Sequence, residues 1–458
     1  MRGLPIFLTL FLLASAATAQ SFSAPLPGTL VRAAAVTGSG GRPGVALLVA
    51  ARADRKGAKT LLFLDPARRT VERWAGGLDE EVNVVTAFDL AGNGTAVPIA
   101  GMQDVLFTPS GGGGVRRVLE EPNVDLRSVA GNAAGRPWIA AARTGLLELL
   151  GPAPGGGLAR VASFPLPVRA ERPRWGLRLE SPPVTLLPGD PPLFAVGPET
   201  VGRRRIRTLL QPAAGEAVEA WSLLPADERL MLDRRYLRLD GAPALAATTF
   251  GKIGVFAKKR FRLFLLGRDR SRKGSAPVFA FETDCPLWYP LDAYAADADG
   301  DGRQDLVLAH PAGLRGRETL VAAYHGLGGG KFDPEPRRWK LNDEASDWLY
   351  GPDLTGDGVP DFIVFVKDRL LVYAGDPRGS RPLAGRPVWA VTVAGAPKND
   401  RRGEEQGSAD EEESLGEAAG PERERLLQAF ELPGGGRVVF AQGVQKDGRS
   451  VLTVISRR

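Results

Sequence analysis

The residues whose spacing is best suited to chemistry lie in a nine-residue acidic loop with Asp297, Asp299, Asp301 and Asp305 at positions 1, 3, 5 and 9. The backbone carbonyl of Arg303 falls at position 7. This spacing wraps hard oxygen ligands around Ca²⁺, and the glycine at position 6 permits the sharp turn. Without a cation, four carboxylates this close together would repel one another. We therefore predict a calcium site; the alternative is a solvated acidic turn without an ion.

A second loop repeats the pattern with Asp353, Thr355, Asp357, the carbonyl of Val359, and Asp361. It offers three carboxylates and a hydroxyl in place of four carboxylates. Because the number of charged ligands tunes calcium affinity, we predict a second, weaker calcium site here.

A third loop, from Phe88 to Gly101, keeps only part of the pattern. Asp89 and Asn93 are present, but Ala91 stands between them and Val97 occupies the last ligand position. We predict a vestigial turn that binds no ion.

The composition excludes several other chemistries. The single Cys and the two His (Cys285, His310 and His325) are too few for an intramolecular disulfide, an iron–sulfur cluster or a three-histidine metal site. The sequence contains no G-x-S-x-G elbow, no phosphate-binding P-loop and no dinucleotide fingerprint. We therefore assign no catalytic residue and no organic-cofactor site, and we interpret both His as strand-end residues.

The acidic loops belong to a repeat that predicts the fold. Tyr294 to Ala309 and Tyr350 to Val364 share a Tyr, an acidic G-D-G turn and an apolar strand. Eight Gly/Pro turns, each leading into a short Val-, Ile-, Leu- or Phe-rich run, recur at intervals of roughly 40 to 80 residues, which fits one propeller blade. No stretch shows a sustained helical period. The sequence predicts an all-β fold, a β-propeller of seven or eight four-stranded antiparallel blades.

The D-x-D-G-D-G-x-x-D loop, its following strand and the later G-x-G-G-G-K-F turn resemble the FG-GAP/VCBS-type repeats of integrin-α-like calcium-binding propellers. The resemblance is specific at 294–332 and 350–366, fair at 88–101, and architectural elsewhere. It implies a closed propeller with Ca²⁺ as its bound ion. Such repeats usually form seven blades, whereas this sequence shows eight turns.

Residues 1–19 predict a cleavable signal peptide. Arg2 precedes the apolar run Leu4 to Leu13, and Ala17-Thr18-Ala19 supplies a small-residue cleavage site before Gln20. The alternative is a membrane anchor, but the apolar run is short for a bilayer span. The Ala-, Gly-, Arg- and Pro-rich composition is typical of a GC-rich bacterial genome. We predict export to the periplasm or exterior, no membrane span, and one propeller domain over residues 20–458.

A highly charged segment interrupts the strand pattern at about 398–420, where apolar side chains are almost absent. A segment that cannot bury hydrophobic surface does not fold on its own. We predict a disordered loop.

Lys258, Lys259, Arg260 and Arg262 begin a basic run that ends at Lys273. One interpretation is contact with an anionic surface. The other, which we favour, is a hairpin whose charged face meets solvent while Phe261, Leu263 and Leu265 point inward. No regular aromatic interleaving suggests base stacking, so we expect no nucleic-acid partner.

Together these features favour an exported, non-enzymatic, calcium-binding propeller that presents loops to a protein or glycan. The alternative is an enzyme on the same scaffold, such as a polysaccharide lyase or a quinone-dependent dehydrogenase, because propellers host many chemistries. The scarcity of His weighs towards binding. Convergent ionisable side chains in the central channel would favour catalysis.

Overall fold

The computed structural model describes residues 20–457 apart from 53, 92, 94, 103–104, 111–112, 121–128, 133–137, 144, 154, 168, 172–177, 181–183, 188–192, 202–203, 213–215, 251–258, 268–273, 284–290, 313–316, 396–425 and 446. The predicted signal peptide at 1–19 and the predicted disordered loop at 398–420 lie outside the described residues. The described residues are nearly all β, and their one helical element is the short 3-10 turn Ser39–Gly41. None of their helices has the length and apolar character needed to cross a membrane.

The first half of the chain begins with β1 (Gln20–Pro25) and then forms three antiparallel sheets. Sheet 1 contains β2 (Thr29–Thr37), β3 (Pro43–Ala50), β4 (Lys59–Asp65) and β5 (Thr70–Leu78). Sheet 2 contains β6 (Val84–Phe88), β7 (Val97–Gly101), β8 (Val105–Pro109) and β9 (Val115–Glu120). Sheet 3 contains β10 (Val129–Asn132), β11 (Trp138–Arg143), β12 (Leu146–Ala153) and β13 (Gly157–Pro165).

A small hairpin, β14 (Arg169–Glu171) and β15 (Arg178–Glu180), precedes the next two sheets. Sheet 4 contains β16 (Val184–Leu187), β17 (Leu193–Val201), β18 (Arg205–Pro212) and β19 (Val218–Leu223). Sheet 5 contains β20 (Arg229–Leu239), β21 (Ala242–Phe250), β22 (Lys259–Leu265) and β23 (Phe279–Thr283).

The last three sheets include those that carry the acidic loops. Sheet 6 contains β24 (Asp292–Ala296), β25 (Asp305–Ala312), β26 (Glu318–Tyr324) and, after the hairpin β27 (Gly326–Gly328) and β28 (Lys331–Phe332), β29 (Arg337–Leu341). Sheet 7 contains β30 (Asp347–Tyr350), β31 (Phe362–Val366), β32 (Arg369–Tyr373) and β33 (Trp389–Thr392). Sheet 8 contains β34 (Leu427–Glu431), β35 (Arg437–Val444), β36 (Ser450–Arg457) and, from the start of the chain, β1.

The second strands are continuous apolar runs because both of their faces are buried. In β25, Leu306 and Leu308 pack against sheet 5, whereas Val307 and Ala309 pack against sheet 7. Successive side chains of a strand point to opposite faces, so one strand serves two cores. The sheets therefore stand side by side, each covered on two faces.

Hydrophobic clusters join the sheets into a closed ring. In the described residues each sheet shares a buried cluster with the next one in sequence. The ring closes because Leu47 of sheet 1 lies in the same cluster as Phe440 of sheet 8. In addition, β1 pairs antiparallel with β36, from Gln20 opposite Ser456 to Pro25 opposite Val451. Closure of this kind leaves no long exposed sheet edge.

The first strand of each sheet lies nearest the centre of the ring. Where neighbouring sheets meet through strands, it is mainly their first strands that contact each other: β2 with β6, β6 with β10, β16 with β20, β20 with β24, β30 with β34, and β34 with β2. In an antiparallel sheet, the connection from first to second strand lies at the same end as that from third to fourth. This geometry brings the acidic loops, which follow β24 and β30, beside the turns that follow β26 and β32.

Candidate metal centres

The first loop, residues 297–305, is shaped by the carboxylate of Asp297. Its Oδ1 accepts hydrogen bonds from the backbone N–H groups of Gly300 at 2.7 Å and Asp301 at 3.1 Å, and its Oδ2 accepts one from Gly302 at 2.8 Å. Gly300 and Gly302 have positive φ angles, a region that glycine adopts without steric cost. The loop therefore curls around its first carboxylate.

Asp305 closes the first loop and is only 1% exposed. Its Oδ2 accepts a hydrogen bond from the Ala298 N–H at 3.1 Å, and its Oδ1 accepts one from the Gly326 N–H at 2.7 Å. Burial raises the pKa of Asp305, the Gly326 hydrogen bond opposes that shift, and the nearby charge of Asp299 adds to it. A cation in the loop would offset the cost of holding this carboxylate ionised.

His325 lies at the end of β26 and faces the carboxylates of the first loop. Its Nδ1 is 2.8 Å from Asp299 Oδ2 and 3.5 Å from Asp305 Oδ1, and its Nε2 is 3.9 Å from Asp301 Oδ2. Asp299, Asp301 and His325 each offer one ligand atom, all within 4.8 Å of one another. From the sequence, His325 is predicted only as a strand-end residue and is not among the predicted ligands. The missed signal was topological, because the turn after a third strand lies beside the loop after a first strand.

The second loop, residues 353–361, has the same backbone plan. Asp353 Oδ1 accepts a hydrogen bond from the Gly356 N–H, and Oδ2 accepts one from Gly358 at 3.3 Å. Asp361 is fully buried and accepts hydrogen bonds from the Thr355 N–H at 2.8 Å and the Gly375 N–H at 3.2 Å. The Thr355 hydroxyl donates to Asp361 Oδ1 at 3.1 Å. Both loops thus receive an N–H from the turn after their sheet's third strand.

The carboxylates of the second loop also converge. Asp353, Asp357 and Asp361 each offer an oxygen, all within 4.8 Å of one another. Burial raises the pKa of Asp361 to about 6, against the opposing hydrogen bonds from Thr355 and Gly375. The Asp361 charge is therefore costly in the absence of a cation.

Two arginines from sheet 8 reach the second loop. The Arg437 guanidinium lies 3.3 Å from Asp353 Oδ2 and donates to the Asp353 carbonyl at 2.7 Å. Arg457 lies 3.8 Å from Asp353 Oδ1 and donates to the Leu354 carbonyl at 3.2 Å. Its guanidinium approaches Gly356 so closely that a Cβ there would collide with it. Part of the negative charge of this loop is therefore already compensated.

Arg303 and Val359, which were predicted as carbonyl ligands, form backbone hydrogen bonds within their loops. The Arg303 N–H donates to Asp301 Oδ1 at 2.8 Å, and the Val359 N–H donates to Asp357 Oδ1 at 3.1 Å. That the carbonyls of these two residues bind an ion stays a prediction.

The third loop, predicted to be vestigial, contains two hydrogen bonds from backbone N–H groups to side-chain oxygens. Asp89 Oδ1 accepts a hydrogen bond from the Asn93 N–H at 3.1 Å, and Asn93 Oδ1 accepts one from Thr95 at 2.9 Å. Within the described residues, the three-ligand clusters lie in the first and second loops, not here.

The structure describes three of the four basic residues Lys258, Lys259, Arg260 and Arg262; Lys258 lies outside the described residues. Lys259 is fully buried. Arg260 pairs with Asp227 at 2.9 Å, Glu228 at 3.2 Å and Glu282 at 3.0 Å, and Arg262 pairs with Glu228. Phe261, Leu263 and Leu265 are buried, as the favoured hairpin interpretation predicted.

The chain was compared with protein families, curated proteins and solved structures. Residues 297–364, which span both acidic loops, match the model of the FG-GAP-like repeat family. Similar solved structures include Kluyvelomyces marxianus Hsv2, with a TM-score of 0.41, 9% identity, and coverage of 80% of this chain and 99% of that chain. Another is the WD40 domain of SCAP from fission yeast, with a TM-score of 0.33, 8% identity, and coverage of 76% and 96%. No curated protein sequence matches the chain.

The closed ring of four-stranded antiparallel sheets defines this protein as a β-propeller. Within that class, residues 297–364, which carry the two loops described above, are similar to FG-GAP-like repeats. The family resemblance and the all-β propeller fold predicted from the sequence are confirmed.

Proposed function

We propose that this protein is an exported, non-enzymatic calcium-binding β-propeller that presents its loops to a protein or glycan. The observation that carries the proposal is the convergence, at each of two loops on neighbouring sheets, of three side chains that could hold a metal ion. Both loops connect a first strand to a second strand, so they open on the same face of the ring.

The donor atoms suit a hard divalent cation. Carboxylate, hydroxyl and backbone carbonyl oxygens are the ligands that Ca²⁺ prefers. Asp305 and Asp361 are buried carboxyls whose pKa values are raised by burial, so each loop contains a charge that a cation would stabilise. In the first loop Asp297, Asp299, Asp301 and Asp305 would hold the ion; in the second, Asp353, Thr355, Asp357 and Asp361 would do so.

Bound calcium would act as a structural ion at the seams between sheets. A Cβ at Gly300 would lie 3.5 Å from the Val359 side chain, so the first loop packs beside the second. Arg337 donates to the carbonyls of Ala298 and Asp376, both at 3.0 Å, and so links sheet 6 to sheet 7. Arg437 links the second loop to sheet 8. Ions in these loops would stiffen one face of the ring and thereby its binding loops.

Ionisable groups on the innermost strands make contacts between neighbouring sheets. Arg235 lies 3.8 Å from Asp292 and 5.0 Å from the ring centre of Tyr294. Asp347 is buried and accepts a hydrogen bond from the Leu427 N–H at 3.0 Å. These groups join neighbouring sheets.

Calcium binding is tested by isothermal titration calorimetry on chelator-treated protein. We expect two sites, the tighter one lost in Asp301→Ala and the weaker one lost in Asp357→Ala. An absence of calcium binding to the wild type would overturn the proposal.

Export and partner binding need separate measurements. N-terminal sequencing of protein from the exported fraction should begin at Gln20, and a chain that stays in the cytoplasm with Met1 would contradict export. An affinity pull-down from the exported fraction, with calcium and with chelator, should recover a protein or glycan only with calcium. Equal recovery in both buffers would contradict calcium-dependent presentation.

A further inference from the structure

We propose that the first loop is a mixed nitrogen–oxygen metal site, in which the His325 imidazole joins Asp299 and Asp301 to bind a transition-metal dication of the Zn²⁺ class. The second loop would remain an oxygen-only calcium site. This inference rests on the proposed function, because it concerns one of the same two loops and names the ion class that distinguishes it.

The backbone fixes the imidazole beside the carboxylates. His325 stands between Tyr324, which is buried in the core of sheets 5 and 6, and Gly326, whose N–H donates to Asp305. A Cβ at Gly326 would collide with the Gln304 carbonyl, so the turn lies tightly against the loop. The side chain is 36% exposed, which leaves an entry path for an ion.

The donor spacing suits a small ion. Two donors in one coordination shell with bonds of about 2.1 Å are separated by about 3.0 Å in octahedral and about 3.4 Å in tetrahedral geometry. His325 Nδ1 lies 2.8 Å from Asp299 Oδ2 and Nε2 lies 3.9 Å from Asp301 Oδ2, and one donor atom from each of the three side chains lies within 4.8 Å of the others. Small side-chain shifts would therefore place these atoms around one metal ion.

Ligand chemistry sets the selectivity. Ca²⁺ and Mg²⁺ take oxygen ligands almost exclusively, whereas imidazole nitrogen is a preferred ligand of Zn²⁺ and its neighbours in the first transition row. One neutral imidazole added to a carboxylate set raises the affinity for these metals far more than that for calcium. The first loop follows a calcium-binding pattern in sequence, but His325, which lies outside that pattern, would shift its metal preference towards Zn²⁺.

The second loop is an internal control. Its equivalent turn is Tyr373-Ala374-Gly375, in which the Gly375 N–H donates to Asp361 just as the Gly326 N–H donates to Asp305. Ala374 thus stands in the place of His325. The two loops share their backbone plan and differ in the presence of the imidazole.

The chain also makes the imidazole easy to observe. It contains two His, and the other, His310, is buried with its Nδ1 2.7 Å from the Pro311 carbonyl. A metal–imidazole signal in protein without a histidine tag can therefore be assigned to His325. The single Cys is removed as a competing ligand by working in a Cys285→Ser background.

The experiment compares this untagged, chelator-treated protein with His325→Ala and with Ala374→His. Zn²⁺ and Ca²⁺ affinities are measured by calorimetry, and Co²⁺ serves as a spectroscopic probe of nitrogen ligation. His325→Ala should weaken Zn²⁺ binding at the first loop by about tenfold or more, with about threefold or less effect on Ca²⁺. Ala374→His should create a second site at which Zn²⁺ binds more tightly than in the parent.

The outcomes separate this inference from the proposed function. Calcium binding at both loops with Zn²⁺ affinity and Co²⁺ spectra unchanged in His325→Ala would overturn the mixed site and leave the calcium proposal intact. Zn²⁺ binding that requires His325, without calcium binding at either loop, would overturn the calcium proposal and support the mixed site. Binding of neither ion would overturn both.

Discussion

The first loop (297–305) and the second loop (353–361) share a backbone and differ in what surrounds it. In each, the first Asp accepts hydrogen bonds from loop N–H groups, and the last Asp is buried beside the turn after the third strand. The first loop faces His325, whereas the second faces Arg437 and Arg457. The repeat motif builds the loop, while residues from other strands set its charge balance and, in our proposal, its metal preference.

The largest expected effect concerns the shared buried carboxylate. Asp305→Ala leaves the N–H groups of Ala298 and Gly326 without their acceptor, so it should lower the free energy of unfolding by about 2 to 4 kcal/mol even in excess chelator. Chemical denaturation measures the change, and Asp361→Ala should behave alike. Asp305→Asn retains an acceptor and is the control. A decrease of less than about 1 kcal/mol in the free energy of unfolding would show that these hydrogen bonds do not stabilise the loop.

The second prediction uses the raised pKa of Asp361, about 6 in the folded protein. A carboxyl whose pKa is higher when folded than when unfolded stabilises the fold at pH values below its unfolded pKa. This contribution is lost as the pH rises through about 6. In excess chelator, the free energy of unfolding should therefore fall by about 2 to 3 kcal/mol from this group between pH 4 and pH 7.

Denaturant titrations at a series of pH values, on the wild type and on Asp361→Asn, measure this dependence. The difference between the two proteins should change across that pH range and level off above it. A difference that is independent of pH would contradict the argument that burial of Asp361 makes a cation favourable here.

The third prediction asks whether arginine stands in for a cation at the second loop. Arg437→Ala removes a partly exposed ion pair and a donor to the Asp353 carbonyl, so in chelator it should cost about 1 kcal/mol. In excess calcium the cost should be smaller, because the ion replaces the lost positive charge. The control is Arg337→Ala, because the described contacts of Arg337 are hydrogen bonds to backbone carbonyls. This substitution should lower the free energy of unfolding equally in both buffers. If calcium changed the loss of stability equally in the two variants, arginine would not be standing in for a cation at the second loop.

The smallest effect is expected in the vestigial third loop. Asn93→Asp adds a carboxylate, but Ala91 and Val97 still offer no side-chain oxygen, so it should change the free energy of unfolding by about 0.5 kcal/mol or less with or without calcium. Calcium-dependent stabilisation of this variant beyond that of the wild type would show that two acidic ligands suffice.

The sequence predicted the features that depend on neighbouring residues. Strand periodicity and the Gly-rich acidic turns are local, so the propeller fold and the convergence of Asp353, Asp357 and Asp361 could be predicted. His325, Arg437 and Arg457 could not, because they reach the loops from strands 20 to 104 residues away and their placement depends on ring topology. The ion pairs of Arg260 could not be predicted for the same reason, since the acidic residues that pair with it come from other strands and loops.

The central claim is that the acidic loops bind calcium and that the ion stabilises the propeller. The most direct measurement is a thermal melt of the wild type and Asp301→Ala, in excess calcium and in excess chelator. At a calcium concentration 100 times the dissociation constant, one site should add about 2.7 kcal/mol to the stability of the wild type, seen as a higher melting temperature. Asp301→Ala should lose most of that increment. Identical wild-type melting curves in the two buffers would contradict the account.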